Sequence, residues 1–281
     1  MKNQDEIYIF KVKKKAKMRT QNIDLLKIKC FFLDMDGTFY LGRSLLDGSL
    51  DFIRKVIDTG RKFVFLTNNS SRSRKEYIEK LAGFGLNIDL NEIVSSGQAT
   101  IEYLLNRHPG KTVYLLGNPS LTHEFEEANI RLSDHPDIVV TAFDNSLDYR
   151  KLCRVCDLVR EGLPFFATHP DFNCPSESGF LPDIGAIHAF IHASAGRMPD
   201  VIIGKPNAEI INCALRQAGC AASETAMVGD RLYTDIAAVR FVPGLTGILV
   251  LSGETNVPDI VHAEIQPHFV FDSLKDMIAF L

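Results

Sequence analysis

From Lys29 onward, apolar runs of strand length alternate with stretches whose apolar residues recur at helical spacing. KCFFLD is followed by LDFIRKVIDTG, RKFVFLTNN and SRKEYIEKLAGFG, a strand, helix, strand, helix rhythm. Such alternation predicts a parallel sheet with helices on its faces. The near-continuous Val, Ile, Leu and Phe of these runs fits strands covered on both sides. The rhythm returns toward the C-terminus, where VIIGKP leads into AEIINCALRQAG and TAMVGD into TDIAAVRF, and GILVLSG and HFVFDSL supply two further strands.

Between these halves lies a second α/β rhythm: TVYLLG, LTHEFEEANIR, DIVVTAF, YRKLCRVCDLVREG, PFFATH and AIHAFIHASAG. About 100 residues suffice for an autonomous domain. The expected organisation is an α/β core from 23–96 and 199–281 and an inserted α/β domain from 97–198. Residues 1–22 carry KVKKKAK and little apolar periodicity, and read as a basic, disordered leader.

Composition narrows the partners. The chain has 281 residues, 46% of them hydrophobic, and a net charge of −4, so its body offers no general attraction for nucleic acid or an anionic membrane. No apolar run approaches the roughly 20 residues that cross a bilayer, and the basic N-terminal stretch lacks the apolar core of a signal peptide. The expectation is a cytoplasmic protein acting on a small molecule. The six cysteines are scattered and read as thiols rather than disulfides. Cys153 and Cys156 form a CxxC inside an amphipathic helical pattern, which predicts two helical thiols one turn apart and no zinc site.

Candidate chemistry gathers at strand ends. Phe31, Phe32 and Leu33 deliver Asp34 and Asp36 to a turn at Gly37 and Thr38, and two carboxylates there suit a nucleophile with a proton carrier, or a simple acidic turn. Thr67, Asn68 and Asn69 end FVFLTNNSS as a phosphate cradle or a helix cap. Lys205 follows VIIG and precedes Pro206, which suits the first turn of a helix. Asp230 leaves TAMVG, and Asp235 opens or caps the next helix. In one parallel sheet all these ends would share an edge, so the residues are expected to converge. Several carboxylates beside one lysine repel one another unless a cation is present, and an all-oxygen site suits Mg²⁺.

DMDGT, the threonine of TNN, the lysine of GKP and GDRLYTD together resemble the four motifs of the haloacid dehalogenase (HAD) superfamily. The resemblance covers residue 28 to the end. The large insertion after Thr67, with DMDGTFYLG, FLTNNSSRS and ATHPD, is similar to the class IIA branch of nitrophenylphosphatase-like and sugar-phosphatase-like enzymes. It implies a Rossmann-like parallel sheet with an α/β cap, and a phosphatase acting through an aspartyl-phosphate. On matching residues it implies Asp34 as nucleophile and Asp36 as acid and base. Thr67, Asn68 and Lys205 would bind phosphate. Mg²⁺ would be held by Asp34, the Asp36 carbonyl and Asp230, with Asp235 supporting. The presence of Asp36 disfavours dehalogenation.

The resemblance also implies that the insert is a lid, able to mediate a homodimer, in which THPDFNCPSESGFLPDI (168–184) is a specificity loop. His169 and Asp171 read as a turn histidine and a capping aspartate. Asp183 stands where smaller residues are usual in the branch; an acid there would disfavour anionic leaving groups and accept sugar hydroxyls. The expected substrate is a small phosphorylated metabolite such as a sugar phosphate. A phosphotransferase, or a phosphate sensor without catalysis, is the competing reading; a sensor has no need of Asp36.

Overall fold

The computed structural model describes residues 25–176 and 179–281; the expected leader, 1–22, lies outside the described residues. The chain divides into two units, one made of the sequence through Leu66 together with Ala214–Leu281, the other Thr67–Cys213.

Cys30, Phe31, Phe32 and Leu33 form a strand with no exposed surface on either face. It lies among strands paired in parallel in the order Phe269–Phe271, Thr246–Val250, Thr225–Gly229, Cys30–Leu33, Lys62–Thr67. Phe31 packs edge to face on Phe52 of the helix Ser49–Asp58 at 5.5 Å, and Phe39 meets Phe65 at 4.9 Å. Burial on both faces is what the unbroken apolar runs predict.

From the strand Cys30–Leu33 the chain moves first to Lys62–Thr67 on one side and later returns to Thr225–Gly229 on the other. That change of direction opens a crevice at the carboxyl ends of the two strands. Asp34 and Asp230 are the residues that follow them.

The second unit has its own parallel sheet, ordered Val201–Ile202, Phe165–Ala167, Ile138–Thr141, Thr112–Leu116, Arg131–Leu132. Alternate residues feed two apolar clusters. Val140 packs with Leu121 and Phe125, and Val139 with Val155, Phe165 and Ile191, as the two-residue period of a strand requires. Cys156 lies in the latter cluster on the helix Tyr149–Arg160 while Cys153 is exposed. All six cysteines remain thiols.

Two elements depart from the sequence pattern. Val201–Ile202 pairs with Phe165–Ala167 in the second sheet and is not a strand of the sheet that carries Asp34. The segment expected to be a loop forms an antiparallel hairpin, Asn173–Ser176 with Gly179–Pro182. Among the described residues no helix is long and apolar enough to cross a membrane.

Candidate active site

Asp34 leaves its strand still tied to the neighbouring one, its N–H donating to the Val228 carbonyl at 2.9 Å. The backbone then turns at Gly37, which has φ +91. A side chain there would be strained. It would also have no room, because a Cβ on Gly37 would stand 2.5 Å from Asp230 Oδ2. Thr38 donates its hydroxyl to Asp230 Oδ1 at 3.4 Å. Ser252 donates to the Gly37 carbonyl at 2.8 Å, and the Glu254 N–H donates to Asp230 Oδ2 at 2.6 Å.

Asp34, Asp230 and Asp235 are all buried, and each offers a carboxylate oxygen within 4.8 Å of the others. Burial above all, then the charges of Asp34 and Asp235, push the Asp230 carboxyl up to about 8, against the opposing Glu254 N–H and Arg231. Burial and like charge both disfavour the ionised carboxylate there. Oxygen donors alone, several of them carboxylates, suit Mg²⁺.

Asp235 does not open a helix. It lies inside the wide helical turn Leu232–Ile236, where its Oδ2 accepts the Arg231 N–H at 3.1 Å. Asp36 lies on the turn rather than in the buried set, half-buried, with the Tyr40 hydroxyl donating to its Oδ2 at 3.3 Å.

Thr67, Asn68 and Lys205 belong to the second unit and are all buried. Thr67 Oγ1 accepts the Asn69 N–H at 3.2 Å. Thr67 and the two asparagines are not a helix cap, because the following helix, Arg74–Gly83, starts with its own capping box between Ser73 and Glu76. Asn68 clasps the Lys205 backbone, accepting its N–H on Oδ1 at 2.7 Å and donating Nδ2 to its carbonyl at 2.9 Å. Lys205 sits in a turn closed by the Asn207 N–H on the Gly204 carbonyl, before the helix that begins at Ala208. The expected first-turn placement is therefore displaced by this turn.

His169, Asp171 and Asp183 differ most from expectation. They are a second buried group, each offering a donor atom within 4.8 Å of the others. His169 pairs with Asp183 at 3.0 Å, and Asp183 Oδ1 accepts the Ile184 N–H at 2.6 Å to cap the helix Ile184–Ala195. Asp183 is 2% exposed, and its Oδ1 is engaged by His169 and the Ile184 N–H. THPD and PDI, 14 residues apart, held the signal of a histidine–carboxylate hydrogen bond, but only the fold brings them together.

Two family models match, the haloacid dehalogenase-like hydrolases over residues 31–131 and a HAD-hydrolase-like model over 202–277. An acid sugar phosphatase of Staphylococcus aureus is 36% identical over 253 residues, covering 89% of this chain and 97% of its own. Among solved structures, 4-nitrophenylphosphatase of Thermotoga maritima superposes with a TM-score of 0.88 at 44% identity, covering 91% of this chain and 98% of its own. NagD from E. coli does so with 0.82 at 32% identity, covering 89% and 98%. The chain belongs to the haloacid dehalogenase-like hydrolases, in the class IIA branch, and is an enzyme of the phosphatase type.

Proposed function

We infer that the protein is a Mg²⁺-dependent phosphatase of small phosphorylated metabolites, sugar phosphates among them, working through an aspartyl-phosphate. The observation that carries this reading is the buried set of Asp34, Asp230 and Asp235 with oxygens within 4.8 Å. The Asp34 and Asp230 side chains and the Asp36 carbonyl would hold Mg²⁺, and Asp235 supports them from beside Arg231. The ion supplies neutralisation of charge on the phosphoryl group. The sugar preference is supported by the name of the Staphylococcus aureus relative.

Asp34 attacks phosphorus as the bond to the leaving oxygen breaks, and the departing alkoxide takes the proton of Asp36. Asp36, now a carboxylate, removes a proton from water as the water oxygen bonds to phosphorus. The bond between Asp34 and phosphorus then breaks, releasing inorganic phosphate and the free carboxylate. Thr67 and the Asn68 N–H bind the phosphoryl oxygens, and the Lys205 ammonium neutralises them together with Asp34. Residues 97–198 act as the cap that contacts the leaving group.

The test is hydrolysis across phosphorylated sugars, glycolytic intermediates, nucleotides and pyridoxal phosphate, with and without chelator. Sugar phosphates should be hydrolysed, turnover should stop reversibly on chelation, and Asp34→Asn should be inactive while folded. Undiminished turnover under chelation would overturn the metal assignment, and substantial turnover by Asp34→Asn the covalent route.

A further inference from the structure

The second unit contains a buried polar chain that runs from the phosphate-binding groups to side chains the proposed reaction does not use. It starts at Asn68, whose carboxamide holds both backbone groups of Lys205. The Asn68 Nδ2 also faces Asp171, at 3.2 Å from Oδ2 and 3.4 Å from Oδ1. A carboxamide can be turned either way round. Turned over, Asn68 would set its oxygen against both a carboxylate and the Lys205 carbonyl and its nitrogen against the Lys205 N–H, so Asp171 reinforces the orientation that grips the lysine.

Asp171 is itself confined. It is 6% exposed and lies with His169 and Asp183. The His169 ring meets Thr168 Oγ1 through Nδ1 at 2.9 Å and Asp183 through Nε2 at 3.0 Å. Both ring nitrogens are thus engaged within the protein, and the Asp171 carbonyl accepts the Gly185 N–H of the helix Ile184–Ala195 at 2.8 Å. Asp183 anchors one end on the helix Ile184–Ala195. Thr168 anchors the other, its hydroxyl 3.2 Å from that of Ser70, two residues beyond Asn68.

We propose that Asp171, braced by His169 and Asp183, is a positioning residue for Lys205, acting through the Asn68 carboxamide. The proposal rests on the reading of Lys205 as the phosphate-binding ammonium. Lys205 is buried to 2% exposure, so its ammonium cannot compensate for a misplaced backbone by swinging through solvent. A displacement of about 1 Å in such a group can cost roughly 100-fold in rate.

The experiment compares wild type, Asp171→Ala and Asp171→Asn by hydrogen exchange at the Lys205 amide and by kinetics on p-nitrophenyl phosphate with Mg²⁺. Exchange at Lys205 should quicken about 10- to 100-fold in Asp171→Ala, the equivalent of losing a charge-assisted hydrogen bond, while the amides of Phe31–Leu33 keep their protection. In the same variant kcat should fall about tenfold or more, with KM within about twofold. Asp171→Asn keeps an acceptor oxygen and loses the charge, so it should fall between alanine and wild type in both measures. Should the alanine variant not fold, the asparagine variant carries the test. Wild-type exchange at Lys205, or wild-type kcat, in folded Asp171→Ala would overturn the proposal. Exchange is read without substrate. Graded exchange with a wild type inactive on every phosphate ester would support the brace and reject the phosphatase reading. An active wild type with an unmoved Lys205 amide would do the reverse.

Discussion

The Tyr40 hydroxyl donates to Asp36 Oδ2 at 3.3 Å, and the tyrosine is fully buried. The residue assigned to proton transfer is therefore oriented from within its own turn, where the Gly37 N–H also closes on the Tyr40 carbonyl at 2.8 Å. Tyr40→Phe removes the orienting bond and little volume. A general acid matters most when the leaving oxygen is a poor one. kcat/KM, which reports formation of the aspartyl-phosphate, should therefore fall about three- to tenfold on an alkyl phosphate such as a sugar phosphate, while kcat/KM on p-nitrophenyl phosphate, whose phenolate leaves without a proton, should change less. Parallel kinetics on the two substrates checks this, and equal losses would remove Asp36 orientation as the role of Tyr40.

Gly253 approaches the other side of the same site. A Cβ on Gly253 would overlap Asp230 Oδ2 and come within 2.7 Å of Asp230 Cβ. Gly253 lies at the surface, so Gly253→Ala disturbs no apolar core. Pushing the Asp230 carboxylate aside should raise the Mg²⁺ concentration for half-maximal activity about tenfold or more, by analogy with the effect of losing a group that orients a metal ligand. A Mg²⁺ titration of activity, with thermal unfolding alongside, measures the shift. An unchanged Mg²⁺ requirement would remove Asp230 from the ligand set.

The parts of this architecture legible in the sequence are those set by local pattern. Phe31–Leu33 is apolar on both faces and must be a covered strand, so Asp34 had to stand at a sheet edge, and it does. What could not be read depends on pairing across long separations. Val201–Ile202 has only two strand residues, and nothing in VIIGKP says whether its partner is Phe165–Ala167 or a strand of the other sheet. Asp235 carries the same letters as a helix cap, but a wide turn places it inside the helix, beside the Arg231 N–H. Burial of His169, Asp171 and Asp183 was hidden for the same reason. Polar residues in a segment rich in Pro, Ser and Gly pattern like a solvated loop until a hairpin and a helix close around them.

His188 supplies a stability test that is separate from catalysis. Burial in the second unit, reinforced by His169 and opposed by Asp183, holds its imidazole down at about 3 against the usual 6.5. The groups facing it are Thr141 Oγ1, 2.8 Å from Nε2, and the Phe165 ring. The unfolded chain takes up this proton below about pH 6.5 and the folded protein does not, so stability from His188 is intact above 6.5. It is lost as pH falls toward 3, by roughly 1.4 kcal/mol per pH unit. His188→Gln, which keeps a hydrogen-bonding side chain and cannot titrate, should be less stable than wild type at pH 8 and should show a shallower loss of stability from pH 6.5 to 4.5. Denaturant unfolding at several pH values reads the slope, and equal slopes would mean that His188 titrates normally in the fold.

Asp183 offers the sharpest separation between charge as a specificity device and charge as a structural one. Its carboxylate accepts from the Ile184 N–H and pairs with a fully buried His169. Its Oδ1 is therefore spent on the helix and the histidine. Asp183→Asn keeps a capping oxygen but withdraws the charge from His169. It should lower stability by about 1–3 kcal/mol, the range for weakening a buried charged hydrogen bond. The relative kcat/KM for sugar phosphates against phosphates bearing carboxylates should stay within about twofold, because no unpaired acid is lost from the leaving-group side. Unfolding curves and a paired substrate comparison test the two halves together. A marked gain on the anionic substrates with unchanged stability would return Asp183 to the substrate and break the brace proposed around Asp171.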